Sequence, residues 1–461
     1  MGRKRQKSQM LLAFMAESRD EFPMAASEGT ELPAAKRISE SPTQTDSLME
    51  EVCQRDNLWK ALKRVQANKG SPGVDGMTVK QLPGYLKRHW PKIREQLLSG
   101  TYRPQPVKRV EIPKPDGGVR KLGIPTALDR FIQQAVLQVL SKRWDRTFSE
   151  HSYGFRPGRS AHQAVAQAQA YIAEGYRYTV DIDLEKFFDR VNHDMLMGRV
   201  ANRVSDKRLL RLIRAFLCAG VMENGLVGPT EEGTPQGGPL SPLLSNLMLD
   251  DLDRELTRRG LRFVRYADDC NIYVRSRRAG ERVMASISRF ITGKLKLKVN
   301  QEKSAVARPW QRKFLGFSFT AAREPKRRIA PKTLSRFKKR VRELTKRNRG
   351  VSLERMVEQL SRYLIGWRGY FGFCQTPSVL QGLDSWIRRR LRCFQWKLWK
   401  RGKTRFAELR KRGASKRQAA TTAGSSRGPW HLSRSPTLNL ALPGAYFDSL
   451  GLPRLSDSRN V

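Results

Sequence analysis

RYADDCNIYV, Arg265 to Val274, sets two acidic side chains side by side in an otherwise apolar run, within a chain of 461 residues and formal net charge +46. Phe263 and Arg265 alternate with their neighbours before the acids, and Cys270, Ile272 and Val274 continue the alternation after them. Period-two alternation predicts two strands joined at Asp268-Asp269, because Asp tolerates the left-handed conformations of tight turns. Two like charges held together repel unless a cation or a raised pKa relieves them. Mg²⁺ is the natural relief, since it prefers one or two carboxylates plus substrate phosphates. A solvated hairpin turn is the plain alternative.

That alternative weakens when a second acidic strand end is found in TVDIDLEKFFDRVNH, Thr179 to His193. Asp181 and Asp183 share a face by strand alternation, so one can ligate metal while the other is structural. Phosphoryl transfer by two metals needs carboxylates from separate elements to converge on ions about 3.5 to 4 Å apart. Between the two acidic segments lies GTPQGGPLSPLLSN, Gly233 to Asn246. Its glycines permit close main-chain approach to a nucleotide or template base, or simply make a connection.

Composition narrows the partner. Lys and Arg number 89 against 43 Asp and Glu, an excess that calls for a polyanion, with nucleic acid ahead of an anionic membrane. No apolar run approaches the roughly 18 to 20 residues of a spanning helix, which points to a soluble, intracellular protein. The five cysteines are scattered, with no paired spacing for a disulfide framework or a structural zinc site. The first 45 or so residues lack a sustained apolar period and read as a disordered tail. From Lys108 to Thr320 short β-branched and aromatic runs alternate with helical stretches such as Phe131 to Leu140. Arg323 to Arg349 then holds 13 Lys or Arg, with Phe337, Val341 and Leu344 at helical spacing. The pattern continues through Met356, Leu360, Leu364 and Trp367, and a third segment from Trp386 to Arg412 interleaves Trp with basic residues.

YADD at Tyr266 to Asp269, DIDLEKFFD at Asp181 to Asp189 and the GTPQGGPLSP loop occur in the order seen in reverse transcriptases. So do LKVNQEKS (Leu297 to Ser304), FLGFSF (Phe314 to Phe319) and SYGFRPGRSAHQA (Ser152 to Ala164). Together they resemble the reverse transcriptase/maturase encoded by bacterial group II introns, from about Asp56 to the C-terminus. The likeness is to the compact subgroup without a C-terminal endonuclease, in keeping with the lack of a paired-cysteine HNH pattern after Gly413. An extension of about 45 residues before the matching region departs from that compact pattern.

The resemblance implies an α+β right-hand polymerase with palm and fingers, a three-helix thumb and a small basic C-terminal segment. The expected divisions are a disordered 1–47, an N-terminal helical extension with a template-covering loop at 48–107, and fingers and palm at 108–322. A thumb or maturase region follows at 323–412, then a basic DNA-binding segment at 413–461. By resemblance Asp183, Asp268 and Asp269 are catalytic and bind two Mg²⁺ ions together with the Leu184 carbonyl, with Asp181 the rival of Asp183. Lys114, Arg120 and Gln236 contact the incoming nucleotide. Phe188 selects dNTP over NTP, while Phe187 packs in the core because adjacent strand-end residues face opposite sides. Lys303 lies near the primer end, and Gly73, in the Lys69 to Gly76 turn, near the template. His162 and His193 read as structural.

The implied activity is RNA-directed DNA synthesis at a primed target, together with binding of the chain's own intron RNA to assist splicing and mobility. The implied partners are that RNA, an RNA template, a DNA primer or target and dNTPs, with no membrane, self-association open and a bacterial cytoplasmic ribonucleoprotein as the setting. Two other uses compete: a splicing cofactor with a vestigial polymerase, and a domesticated reverse transcriptase of a retron or defence system.

Overall fold

The structure is a computed structural model and describes residues 47–113, 118–223, 226–228, 233 and 237–457. The N-terminal extension up to residue 46, and with it most of the expected disordered tail, lies outside the described residues. In chain order the strands are β1 (Val107–Pro113), β2 (Val119–Ile124), β3 (Tyr178–Ile182), β4 (Val221–Glu223), β5 (Leu226–Gly228), β6 (Arg262–Tyr266), β7 (Asp269–Val274), β8 (Ala305–Ala307), β9 (Phe317–Phe319) and β10 (Arg327–Ile329). They form sheets of order β2-β1-β4-β5, β6-β7-β3-β8 and β10-β9.

By contacts the chain divides into two units. The first comprises the described parts of Met1–Ser160, with Ile182–Ile272 and Glu281–Ala305. Its β1 and β2 are an antiparallel hairpin that pairs Ile112 with Arg120 and Pro113 with Val119, and β4 lies parallel to β1. The helix Ala127–Trp144 begins at Thr126, whose hydroxyl accepts from the Asp129 N–H and donates to its carboxylate. This is the ordinary capping solution for an N–H without a helical partner. The helix is buried nearly all round through Phe131, Ile132, Ala135, Val136, Val139 and Leu140, so its apolar periodicity reads as a central core element. Ser241–Arg258, opened by Pro242 in its first turn, is buried in the same way. Asp206 caps Lys207–Leu217 and also accepts from the Met49 N–H at 2.9 Å, tying the start of the described chain to this unit.

The second unit comprises Ala161–Asp181, Tyr273–Gly280 and Val306–Val461. After the β9-β10 hairpin it is helical: Pro331–Leu344, Leu353–Phe371, Pro377–Leu398 and Gly402–Lys411. The expected third helical segment is therefore two helices. The first ends at Trp399, whose carbonyl instead accepts from Arg405 Nε at 2.8 Å. Phe337, Val341, Met356, Leu360, Leu364, Ile387, Leu391, Phe394 and Trp396 form one core, and burial of each such side chain contributes about 1.5 to 3 kcal/mol. Leu432, Leu438, Leu442, Phe447, Leu452 and Leu455 join it, so the Ser- and Pro-rich segment past Gly413 folds onto the helices through its sparse apolar residues. The core also contains Trp367, Trp396 and Trp399, while Trp430 is exposed. No helix among the described residues is long and apolar enough to cross a membrane.

Candidate active site

Asp183 follows the last residue of β3, and its main chain is fixed on both sides. Its N–H donates to Ser304 Oγ at 3.0 Å, and its carbonyl accepts from the Asn300 N–H at 2.8 Å. The Glu185 N–H donates to the Lys298 carbonyl at 2.8 Å, completing an antiparallel bridge between Leu184 and Val299. Those two main-chain bonds leave the Leu184 carbonyl outside the pairing. The Asp183 carboxylate itself, about a third exposed, has the exposed Lys303 ammonium 3.8 Å away. Such a contact is loose and displaceable. Asp181 differs: within the second unit, Arg312 donates two hydrogen bonds to its Oδ2, at 2.9 and 2.6 Å.

The acidic turn departs from its expected form. β6 ends at Tyr266 and β7 begins at Asp269, so the turn residues are Ala267 and Asp268, and Ala267 takes the left-handed conformation at φ 57°. A non-glycine residue there stores strain that its surroundings must hold. Asp183, Asp268 and Asp269 all belong to the first unit.

What holds the turn is a buried network. Arg265, with no exposed surface, grips Asp253 through Nε to Oδ1 at 2.7 Å and Nη2 to Oδ2 at 2.6 Å. Its Nη1 donates to the Ala267 carbonyl at 2.9 Å and to Asn246 Oδ1 at 3.0 Å, and its Nη2 also reaches Ser152 Oγ at 2.8 Å. Asn246 Nδ2 donates to the Gly154 carbonyl at 2.8 Å. A Cβ on Gly154 would stand 2.3 Å from the Ala267 nitrogen, so the turn lies on bare main chain. Burial pushes the Asp253 carboxyl up, and the guanidinium opposes that. Burial likewise works against the Arg265 charge, but Asp253 more than offsets it and raises the guanidinium pKa.

A second close approach joins the glycine loop to the segment after Asp183. Gly233 donates its N–H to the Val191 carbonyl at 2.8 Å, and a Cβ on it would meet the Phe188 carbonyl at 2.8 Å. Buried His193 bonds the Gly233 carbonyl through Nε2 at 2.6 Å, a structural role. Phe187 is buried and Phe188 half-buried, but they sit on a 3-10 turn, Phe187–Asp189, entered through left-handed Lys186 and not on a strand end. His162 is also structural, bonding the Tyr370 carbonyl at 2.7 Å and stacking on Phe373.

Of the remaining expected residues, Lys114 and Gln236 lie outside the described residues, and Arg120 is placed by its main chain on β2 opposite Ile112. Gly73 is buried, and a Cβ there would meet the Thr126 Cα at 2.6 Å. Its glycine therefore serves a close main-chain contact, and Arg130 anchors the same loop by donating to the Ser71 carbonyl at 2.7 Å.

Known families and proteins match this chain in two stretches. The reverse transcriptase (RNA-dependent DNA polymerase) profile matches residues 112–319, and the group II intron maturase-specific domain matches 334–413. The chain is 33% identical over 299 residues to Protein YkfC of Escherichia coli, covering 56% of this chain and 78% of that one. It is 37% identical over 211 residues to the group II intron-encoded protein LtrA of Lactococcus lactis, covering 46% of this chain and 35% of the relative. The chain belongs to the group II intron reverse transcriptase/maturase family.

The retron Mx65 reverse transcriptase of Myxococcus xanthus is also similar, at 30% identity over 210 residues, covering 43% of this chain and 47% of that one. As a reverse transcriptase/maturase the chain carries an RNA-directed DNA polymerase domain, its substrates and partners are nucleic acids including intron RNA, and its chemistry uses divalent metal ions. Among the described residues no group of three or more His, Cys, Asp or Glu side chains is gathered for a metal, so an ion here would rest on one or two carboxylates plus substrate oxygens, as Mg²⁺ allows. An acidic turn, a carboxylate with a displaceable lysine beside it and a main-chain carbonyl left out of its bridge are hard oxygen donors of the kind Mg²⁺ takes. Sequence reasoning missed the support of this reverse transcriptase's turn: Arg265, Asp253, Asn246, Ser152 and Gly154. The signal was partial: Arg265 alternates in phase with Phe263, but Val264 between them is buried as well, so alternation alone did not single the arginine out.

Proposed function

We propose that this chain copies intron RNA into DNA at a primed target and, as a ribonucleoprotein in the bacterial cytoplasm, binds its own intron RNA to assist splicing and mobility. The observation that carries the reading is the contrast between the two aspartates of the first acidic segment. Asp181 is spanned by an arginine, whereas Asp183 has a fixed main chain and a carboxylate left open.

In this reading Asp183, Asp268, Asp269 and the Leu184 carbonyl hold two Mg²⁺ ions, which when bound activate the primer 3′-hydroxyl and stabilise the leaving pyrophosphate. Lys303 is displaced from Asp183 and turns its ammonium to the primer end. Phe188, lying where the glycine loop meets its main chain, walls the sugar and excludes a 2′-hydroxyl. Gln236, Lys114 and Arg120 grip the dNTP, since cations fixed near developing phosphoryl charge lower the barrier. The loop containing Gly73 covers the template. Fingers and palm occupy 108–322, the thumb 323–412 and a DNA-binding segment 413–461. The maturase-specific match favours intron RNA as partner over the retron use.

The test is Mg²⁺-dependent primer extension on RNA by the full chain. DNA should accumulate from dNTPs only, Asp268→Asn should lower the rate by about 10³-fold or more, and Phe188→Ala should admit NTPs. Tight RNA binding without extension by the unaltered chain would leave the splicing-cofactor reading in its place.

A further inference from the structure

The second unit contains a cavity of about 290 Å³ bounded by Arg342, Thr345, Arg347, Trp386, Arg390 and Trp430. That volume is at the small end of ligand sites, which run from roughly 300 to 1,000 Å³. Its guanidinium groups come from the helices Pro331–Leu344 and Pro377–Leu398 and from the turn between Leu344 and Leu353, and Trp430 comes from the short helix Pro429–Leu432. No ion pair to a carboxylate involves Arg342, Arg347 or Arg390 among the described residues; the nearby acid Glu343 pairs with Arg340.

The cluster is built and held in place. Arg390 is half-buried, and its Nε donates to buried Thr345 Oγ1 at 2.7 Å, while Thr345 Oγ1 is itself anchored to the Val341 carbonyl at 2.6 Å. Burial disfavours the Arg390 charge, and the neighbouring Arg342 and Arg347 add repulsion, so its pKa is lowered. The aromatic walls are fixed as well. Arg342 and Arg390 flank the Trp386 ring with their guanidinium carbons 5.7 and 5.5 Å from its centroid, and Arg389 lies 3.8 Å from the Trp430 centroid. Arg389 also donates to the Trp430 carbonyl at 2.9 Å, which orients the indole, yet 39% of Trp430 stays exposed. Folding thus gathers three like charges around one cavity with no internal counter-charge, an arrangement that an external anion relieves.

We propose that this cavity captures one unpaired nucleotide of a polynucleotide strand, with Arg342, Arg347 and Arg390 on its phosphate and the exposed part of the Trp430 indole stacking its base. This deepens the nucleic-acid-binding reading above and rests on it. An acidic peptide would satisfy the guanidinium groups but make no use of the part of the Trp430 indole left exposed, whereas a nucleotide uses both features. Double-helical nucleic acid offers no splayed base for the indole, so the occupant is unpaired.

The experiment is fluorescence anisotropy of the full chain with labelled oligouridine RNA and, in a parallel arm, labelled oligodeoxythymidine. Arg347→Ala and Trp430→Ala alter exposed side chains, so the fold is expected to survive, which matching thermal melts would check. Each should weaken binding about five-fold or more, the Trp430 effect reflecting lost stacking. Arg347→Ala should also reduce the slope of log affinity against log salt by about 0.7, one phosphate contact to a single strand, and Arg347→Lys should restore that slope. Arg417→Ala, an exposed arginine on Lys416–Ala423, should stay within about two-fold. Loss in both arms assigns the cavity to any unpaired strand, and loss in the RNA arm alone assigns it to RNA. Pocket variants that bind like Arg417→Ala overturn the proposal, as does polyglutamate displacing the probe from the unaltered chain but not from the variants. Primer extension run beside it separates the two readings: normal extension with unaffected pocket variants sinks only the cavity, and failed extension with weakened variants sinks only the polymerase.

Discussion

Two groups of arginines, one in each unit, solve opposite problems. Arg265 in the first unit is fully buried and answered internally: Asp253 takes its charge, and Asn246, Ser152 and the Ala267 carbonyl take its remaining donors. Arg342, Arg347 and Arg390 in the second unit face a cavity and have no carboxylate among the described residues. A buried charge with every donor satisfied fixes geometry, here the strained turn that carries Asp268. Charges gathered without a counter-ion are kept for a partner outside the fold. In a chain this basic, the number of arginines says little, and the pairing of each one decides its role.

The largest expected effect tests the paired side. Arg265→Met leaves the Asp253 carboxylate buried without its cation and should destabilise the fold by about 3 to 5 kcal/mol, read from denaturant midpoints. Arg347→Ala, from the unpaired group, should change stability by no more than about 0.5 kcal/mol. Equal losses would erase the distinction. Adding Asp253→Leu to Arg265→Met should recover stability without recovering primer extension, because the donor to the Ala267 carbonyl stays lost; recovery of both would make Arg265 a packing residue and not a positioning one.

Gly154→Ala probes the same turn from below. A methyl group 2.3 Å from the Ala267 nitrogen must displace main chain, so we expect a loss of about 1 to 3 kcal/mol and slower extension. Unchanged extension would mean that the turn tolerates displacement.

The smallest effect is a pH dependence. Asp206, buried at the start of Lys207–Leu217, is pushed up by burial but held below the ordinary carboxylate range by Arg208 and the Met49 N–H. A depressed folded pKa means that its stabilisation is present above the unfolded value, about 3.9, and is lost as pH falls through the folded one. Asp206→Asn should therefore melt about 1 kcal/mol less stable near neutral pH, with the gap closing below about pH 4. A gap independent of pH would show that the lost acceptor of the Met49 N–H and not the charge matters. The cavity arginines should leave no such acid signature, since no carboxylate among the described residues pairs with them.

Much of this was legible along the chain. Strand alternation and helical spacing located β6, β7, Ala127–Trp144 and the basic helices, because an element's period is written in which of its own residues are apolar. The acidic segments and the glycine loop were legible as local chemistry. The left-handed residue of the turn was assigned to the Asp pair and proved to be Ala267, since an Asp preference is a local tendency and the hydrogen bonds of Arg265 override it. Phe187 and Phe188 were read as strand-end residues although the chain turns into a 3-10 segment there. How the C-terminal segment packs was not legible, because its apolar residues are too sparse to show a period and are buried in a core shared with helices far away in sequence.

By itself, the sequence determined the composition of charge, the order of the motifs and the periods of the strands and helices, all properties of neighbouring residues. Only the tertiary structure decided which carboxylate is pinned and which stays open, which arginine is neutralised and which is left to a partner, and why Gly154 must be bare. Those outcomes depend on residues brought together across more than a hundred positions, as with Ser152 and Arg265 or Asp183 and Ser304. Burial then sets the energy of each such meeting, since desolvation makes a paired charge a positioning device and an unpaired one a demand for a ligand.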